Sequence, residues 1–231
     1  MAAMGHPPTL VLDLDGTLVD TAGDLVSTLN TIIGAQGLAP IPLADAVTMV
    51  GHGARVMLER AFAQQGLDLT VARLDELTDR FIAHYVEHIA ETSRPFPGVE
   101  AALDRFQAAG WRLAVCTNKL EGPALKLLGA LGLADRFAAI TGQDTFGFRK
   151  PDPRHLTETI RLAGGSESNA VMVGDSITDV DTAIAARVPV IAVAFGYSAI
   201  PVGELGATRV IDHFDELWDA VAALAAPAGS P

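Results

Sequence analysis

Two aspartates follow a short apolar run near the start of the chain, in the stretch DLDGTLVD. Asp13 and Asp15 come directly after Leu10-Val11-Leu12, and Asp20 closes the stretch. Carboxylates packed this closely raise one another's pKa, so the cluster is costly unless a cation lies among them. Mg²⁺ prefers carboxylate and water oxygens, usually one or two carboxylates plus a substrate phosphate. The spacing therefore indicates a Mg²⁺ site at which one carboxylate is also free to react.

Three other polar clusters could join this site. Thr117-Asn118-Lys119 follow one apolar run, and Gly174-Asp175 follow another, with Asp179 shortly after. Lys150 lies in a third cluster, in the loop before Pro151; the chain has only three lysines, and two of them lie in these clusters. In open α/β sheets, ligands bind beyond the carboxyl ends of the strands. We therefore expect these side chains at one edge of a sheet.

Short apolar runs alternate with helical patterns over most of the chain. Near-continuous apolar runs suit parallel strands that are buried on both faces. Strands that alternate with helices predict an α/β fold with a doubly wound parallel sheet. The predicted strands are 10–12, 113–116, 138–140, 171–173 and 190–193. The predicted helices between them are 99–109, 123–131, 153–163 and 178–186.

One long segment breaks this alternation. Between Thr21 and Arg94 the sequence predicts helices and no convincing strand. These helices are 22–35, 43–50, 53–65 and 71–91. They predict an inserted helical domain at 21–94, with an α/β core made of 1–20 and 95–231. The turn-rich stretch 93–98 would return the chain to the core.

Composition limits the partners. The formal net charge is −12, from 16 basic and 28 acidic residues, whereas nucleic acids and anionic membranes both need a basic surface. Cys116 is the sole cysteine, so an internal disulfide is excluded and a reducing compartment is expected. No stretch approaches the roughly 18 apolar residues of a membrane span. We therefore expect a cytoplasmic protein that binds neither nucleic acid nor membrane, and the sequence leaves open whether it is a monomer or a homodimer.

Four motifs, in order, resemble those of the haloacid dehalogenase (HAD) superfamily, in its phosphatase branch. They are DLDGT, TNK, RKPDP and GDSITD, and the helical insert resembles that superfamily's small helical cap. The resemblance implies a HAD-like core and a phosphatase that acts on a small phosphorylated metabolite. Asp13 would be the nucleophile that forms an aspartyl-phosphate, and Asp15 the general acid and base. Thr117 would hydrogen-bond the phosphoryl group, and Lys150 would place a positive charge against it.

The same resemblance implies the metal ligands. Asp13, Asp175 and the main-chain carbonyl of Asp15 would hold Mg²⁺. Asp179 would hold a metal-bound water or orient the site. The core residues that bind substrate would be Thr117, Asn118 and Lys150.

A narrower similarity concerns the substrate. The stretch VGHGAR at 50–55 in the cap, together with CTNK at 116–119, resembles the phosphoglycolate phosphatase group. It implies hydrolysis of 2-phosphoglycolate to glycolate. Gly51, His52 and Arg55 would then bind substrate, because a buried carboxylate needs a cationic or hydrogen-bonding partner. Alternatively, the cap arginines form a solvated helix surface, and both interpretations remain open.

Other activities fit part of the pattern. A phosphatase for another small phosphate ester, or a β-phosphoglucomutase-type phosphomutase, would use the same Asp13 and Asp15. A dehalogenase is disfavoured, because Asp15 has no role in halide displacement. A non-enzymatic phosphate-sensing module could also use an acidic pocket with a threonine and a lysine, but it needs no cap.

Overall fold

The computed structural model describes residues 6–51 and 53–225. The strands of these ranges are β1 (Thr9–Leu12), β2 (Val19–Asp20), β3 (Arg94–Pro95), β4 (Arg112–Cys116), β5 (Ala139–Thr141), β6 (Ala170–Gly174), β7 (Val190–Val193) and β8 (Arg209–Ile211). Six of them form one parallel sheet in the order β5-β4-β1-β6-β7-β8, and β2 pairs with β3 in an antiparallel ribbon. Because β1 lies between β4 and β6, the loops after these three strands meet at one place.

Helices cover both faces of this sheet. The helices of the described ranges are α1 (Ala22–Gly34), α2 (Leu43–Ala46), α3 (Ala54–Gln64), α4 (Val71–Glu87), α5 (Val99–Ala108), α6 (Glu121–Ala130), α7 (Pro153–Leu162), α8 (Ile177–Ala186) and α9 (Leu217–Ala225). Leu10 and Leu12 of β1 pack with α5, α6 and α9, whereas Val11 packs with α7 and α8. This is the two-residue alternation of a strand buried on both faces. The predicted doubly wound α/β sheet is confirmed.

Helices α1 to α4 pack around a hydrophobic core of their own. In α4 the buried residues are Leu74, Leu77, Phe81 and Tyr85, at the three- and four-residue spacing of one helix face. The chain enters this helical part through β2 and leaves it through β3. The antiparallel pairing of β2 with β3 therefore holds the two connecting segments together. The division into a cap, 21–94, and a core, 1–20 and 95–231, stays a prediction.

The structure corrects some predicted element boundaries. Helix α4 ends at Glu87 and not at Glu91, because the Asp24 carboxylate accepts main-chain hydrogen bonds from Thr92 and Ser93 and draws the chain back to α1. The predicted helix 43–50 is divided into α2 and a 3₁₀ turn, 47–49, before Gly51, whose φ is +92°. No helix within the described ranges is long and apolar enough to cross a bilayer.

Four elements lack a sequence prediction, namely the two-residue strands β2 and β3, strand β8 and helix α9. Strand β8 lies at the sheet edge with two of its three residues exposed, so it has no apolar run to mark it. Helix α9 is short and rich in alanine, so its sequence shows no distinct apolar face. Strand β3 begins at Arg94, the last residue of the segment expected to lack strands, and two residues are too few for a pattern.

Candidate active site

The loop after β1 brings the first two acidic motifs together. The Asp13 amide donates to the carbonyl of Val173 in β6, at 2.9 Å, and so continues the ladder past the end of β1. Gly16 follows with a φ of +84°, and a Cβ at this position would lie 2.5 Å from Oδ2 of Asp175. Only glycine allows that approach. The hydroxyl of Thr17 then donates to Oδ1 of Asp175 at 3.0 Å.

Three buried carboxylates form a compact cluster. Asp13, Asp175 and Asp179 each offer an oxygen, and these oxygens lie within 4.8 Å of one another. Asp175 Oδ2 accepts from the amide of Tyr197 at 2.8 Å. Asp179 closes a capping box at the start of α8, where its Oδ2 accepts from the amide and the hydroxyl of Ser176 at 3.1 and 2.6 Å. The cluster is therefore held by the ends of β1, β6 and α8.

The electrostatics of this cluster fit a divalent cation. Burial raises the pKa of Asp13 to about 6, although the nearby charge of Lys150 opposes the rise. Burial, together with the charges of Asp179 and Asp13, raises the pKa of Asp175 to about 8. Oδ1 of Asp13 is buried, and its close polar contact is the ammonium of Lys150. Crowded oxygens whose ionised form needs compensation are the donor set that a hard cation prefers.

Lys150 is the second source of compensating charge. Its Nζ lies 2.9 Å from Oδ1 of Asp13 and 2.5 Å from Oδ1 of Asp179. Although burial opposes the charged ammonium, these carboxylates raise the pKa of Lys150 above its usual value. The side-chain amide of Asn118 donates to the carbonyl of Lys150 at 3.1 Å. Asn118 thus positions the loop that carries this lysine.

Thr117 and Asp15 each form hydrogen bonds of their own within the site. The Thr117 hydroxyl oxygen accepts from the amide of Lys119 at 3.1 Å, which leaves its hydrogen free to donate. The Asp15 carboxylate accepts from the hydroxyl of Thr21 at 2.8 Å and from Lys119 Nζ at 2.9 and 3.0 Å. Burial opposes the charge of Lys119, but Asp15 raises its pKa above the usual value.

A cavity of about 120 Å³ separates this edge of the core from the helical insert. Its core side includes Asp13, Asp15, Thr117, Asn118 and Lys119. Its other side is largely apolar and includes Leu25, Met57, Phe81, Ile82 and Tyr85. Lys150, Asp175 and Asp179 do not line the cavity but adjoin Asp13. The predicted core residues are therefore brought together around Asp13, with the reactive carboxylates facing the cavity.

The predicted substrate residues of the insert divide into three cases. Gly51 and Arg55 line the cavity. The Arg55 guanidinium pairs with Asp75 and lies 3.8 Å from Glu59, and 42% of the Arg55 side chain is exposed. His52 lies outside the described residues. The cationic group expected here is thus at the cavity mouth, and it already has acidic partners.

Several residues of the site have no sequence signal. Tyr85 belongs to the apolar stripe of α4, where its spacing indicates only a core position. Tyr197 lies far along the chain, yet its hydroxyl accepts from the amides of Thr21 and Ala22 at 2.8 and 3.0 Å and donates to Asp20 at 2.5 Å. It therefore fixes the point where the chain leaves the core. Such long-range contacts leave no local pattern.

Known proteins share this fold and these motifs. Residues 10–193 match the family of haloacid dehalogenase-like hydrolases. A phosphoglycolate phosphatase of Mesorhizobium japonicum is 56% identical over 210 residues, which cover 91% of this chain and 92% of that protein. A phosphoglycolate phosphatase of Agrobacterium fabrum is 52% identical over 214 residues, which cover 93% of this chain and 92% of that protein. The crystal structure of a protein described as a predicted phosphoglycolate phosphatase, from Haemophilus somnus, aligns with a TM-score of 0.86 at 27% identity, over 95% of this chain and 100% of that one.

The chain therefore belongs to the haloacid dehalogenase-like hydrolase family, as its four motifs predict. Within that family it is a phosphoric monoester hydrolase, similar to phosphoglycolate phosphatases. The predicted superfamily and enzyme class are thus confirmed.

Proposed function

We propose that this enzyme hydrolyses 2-phosphoglycolate to glycolate and phosphate through an aspartyl-phosphate on Asp13. One observation carries the proposal. Asp13 lines the cavity together with Asp15, and Lys150 Nζ lies 2.9 Å from its buried Oδ1. A nucleophile, a positive charge and a second carboxylate are the groups that phosphoryl transfer through an enzyme carboxylate requires.

The first chemical step is transfer of the phosphoryl group to the enzyme. A carboxylate oxygen of Asp13 attacks phosphorus, and the bond to the alkoxide of glycolate breaks. Asp15 donates a proton to the departing oxygen. The Thr117 hydroxyl donates to a phosphoryl oxygen, and Lys150 stabilises the added negative charge from beside Asp13.

The second step returns the enzyme to its starting state. Asp15, now ionised, removes a proton from a water molecule that attacks phosphorus. The bond between phosphorus and the Asp13 oxygen breaks, which releases phosphate and restores the carboxylate. Lys119 and Thr21 hold the Asp15 side chain in place.

We propose Mg²⁺ as the cofactor. Asp13, Asp175 and the main-chain carbonyl of Asp15 would hold it, and Asp179 would hold a metal-bound water or orient the site. Bound there, it would supply positive charge that offsets the repulsion between the Asp13 carboxylate and the phosphate. The raised pKa values of Asp13 and Asp175 support this proposal, because burial and the neighbouring carboxylates disfavour the ionised forms that a bound cation would stabilise.

The choice of substrate rests on the curated relatives, which are phosphoglycolate phosphatases. The partner is accordingly a small phosphorylated metabolite, and a cytoplasmic location and a monomeric or homodimeric state stay predictions. Gly51 and Arg55, which line the cavity, would border the bound substrate, and substrate binding by His52 stays a prediction.

A panel of small phosphate esters tests the proposal. Phosphate release with Mg²⁺ should be fastest, by kcat/KM, for 2-phosphoglycolate. Sugar phosphates and two- and three-carbon esters without a carboxylate serve as comparisons. A better substrate elsewhere in the panel would move the assignment to another phosphatase. Interconversion of sugar phosphate isomers without phosphate release would indicate the phosphomutase.

A further inference from the structure

The insert contributes one buried polar group to the cavity. Tyr85 of α4 is 3% exposed and lines the cavity beside Phe81 and Ile82. Its hydroxyl has no hydrogen-bond partner among the residues that the structure describes. A buried tyrosine hydroxyl usually finds a partner, because an unpaired one loses its bonds to water without replacement. The Tyr85 hydroxyl is therefore available to donate to a molecule that enters the cavity.

Lys119 of the core lies against the same tyrosine. Its Nζ is 4.5 Å from the centre of the Tyr85 ring and contacts both carboxylate oxygens of Asp15. An ammonium has three N–H donors, so one remains after these two contacts. Only 8% of the Lys119 side chain is exposed, and a charge shielded from water acts more strongly on its neighbours. A neutral donor and a cationic donor thus meet at one end of the cavity.

The arginines that line the cavity are less suited to this task. Arg55 pairs with Asp75 and lies 3.8 Å from Glu59. Arg149 is exposed and donates to the side-chain oxygen of Gln143 at 2.8 Å. Their charges are shared with solvent and with these partners, whereas the Lys119 charge is buried next to an unpaired hydroxyl.

We propose that Tyr85 and Lys119 form a carboxylate subsite, in which the hydroxyl and the ammonium each donate to the carboxylate of the substrate. The assignment rests on the proposed function, because it supplies the partner that the carboxylate of 2-phosphoglycolate needs. The apolar walls at Leu25, Phe81 and Ile82 exclude water and strengthen both contacts. Because Tyr85 belongs to the helical insert and Lys119 to the sheet, the substrate carboxylate also bridges these two parts.

The test compares two esters that differ only in this group, 2-phosphoglycolate and ethyl phosphate. Tyr85→Phe removes the hydroxyl and keeps the ring that packs on Lys119. We expect kcat/KM for 2-phosphoglycolate to fall by about tenfold to a hundredfold, the scale of one hydrogen bond to a charged group, mainly through KM. For ethyl phosphate it should change by less than about threefold, and the melting temperature should not fall, because the hydroxyl has no partner to lose.

Two further variants complete the test. Lys119→Gln should lower kcat/KM for both esters, because Lys119 also contacts Asp15. The decrease should be about tenfold larger for 2-phosphoglycolate than for ethyl phosphate. Arg55→Ala should leave the ratio of the two kcat/KM values within about threefold of wild type. If Tyr85→Phe lowers kcat/KM equally for both esters, the subsite is overturned while the proposed function stands. The same holds if Tyr85→Phe leaves the ratio of the two kcat/KM values unchanged and Arg55→Ala abolishes the preference for 2-phosphoglycolate. A wild-type enzyme that does not prefer 2-phosphoglycolate over ethyl phosphate would instead overturn the proposed substrate.

Discussion

The two sides of the cavity are built in different ways. The core side comes from strand ends and short loops, and it places buried carboxylates and lysines in direct contact with one another. The opposite side comes from helix faces, is largely apolar, and pairs its Arg55 charge at the mouth with its own acidic residues. We infer that the core carries the reaction, and that the insert, together with Lys119, selects the molecule. Changes to the core should therefore affect every substrate, and changes to the insert should affect some more than others.

Removal of divalent cations should have the largest effect and should not discriminate between substrates. Activity should fall to background in EDTA and return with Mg²⁺. Ca²⁺ should restore little, because its larger and looser coordination misplaces the reacting groups. Phosphate release from 2-phosphoglycolate and from an aryl phosphate, measured side by side, checks this. Full activity of either substrate in chelator would contradict the metal assignment.

Mg²⁺ should also stabilise the protein more at high pH than at low pH. The pKa values of Asp13 and Asp175 are raised to about 6 and about 8. Between pH 4 and 8 the unfolded chain therefore loses protons that the metal-free folded protein retains. The free energy of unfolding of the metal-free protein consequently falls as pH rises. Since the cation binds the ionised carboxylates, the increase in melting temperature with Mg²⁺ should be larger at pH 8 than at pH 5. An equal increase at both values would argue against these ligands.

Asp13→Asn should be the most damaging single substitution. It keeps the size of the side chain and removes the nucleophile, so kcat should fall by about 10⁴-fold or more, the scale seen when an enzyme loses its nucleophile. The loss should be similar for 2-phosphoglycolate and for an aryl phosphate, because both use the same attacking oxygen. Circular dichroism should show an intact fold. Near-native turnover of this variant would exclude the covalent route.

Lys150→Met should reduce both activity and stability. It leaves the buried carboxylates of Asp13 and Asp179 without their cation, and breaking a buried pair costs about 3–5 kcal/mol. Turnover should fall by about 10²- to 10³-fold for all substrates, as expected for a lost charge at the reacting group. Urea unfolding and kcat measure the two effects. A stable variant with a changed substrate preference would show that Lys150 selects the substrate and does not carry the reaction.

Lys126→Met is the matched lysine control and should have the smallest effect. Exposed Lys126 of α6 donates to the carbonyl of Val86 in the last turn of α4, at 2.6 Å, and so links the core to the insert. An exposed contact of this kind contributes about 0.2–1 kcal/mol. We expect a change of less than about fivefold in KM, equal for both substrates, and no measurable change in unfolding. A large or selective loss would show that closure of the insert is itself part of substrate recognition.

The core side could be predicted from the sequence because its signals are local. Asp13, Thr117 and Asp175 each follow an apolar run, and the parallel sheet brings the ends of such runs together. The glycine after Asp15 also has a local cause, since its φ of +84° lies in the left-handed region that favours glycine. The sequence alone therefore predicts the inner strands, the helices between them and the acidic cluster.

The insert side could not be predicted to the same depth. Its helices follow from their periodicity, but a helix face does not say which neighbour it meets. Tyr85 has the spacing of a core residue, and only the position of Lys119 against its ring distinguishes it. Arg55, by contrast, has the residue type of a substrate ligand, yet the turn between α3 and α4 places Asp75 against it. Side-chain direction across two packed elements depends on tertiary structure, which the local sequence does not encode.

The most direct test of the account is to trap the phosphorylated enzyme. Asp15→Asn should still accept the phosphoryl group from an aryl phosphate, which needs little acid catalysis, but should hydrolyse the intermediate slowly. Acid quench, borohydride reduction and peptide mass spectrometry should then find homoserine in place of Asp13, in an amount equal to the burst of released aryl alcohol. A burst with Asp13 unmodified, or with another residue reduced, would contradict the central claim.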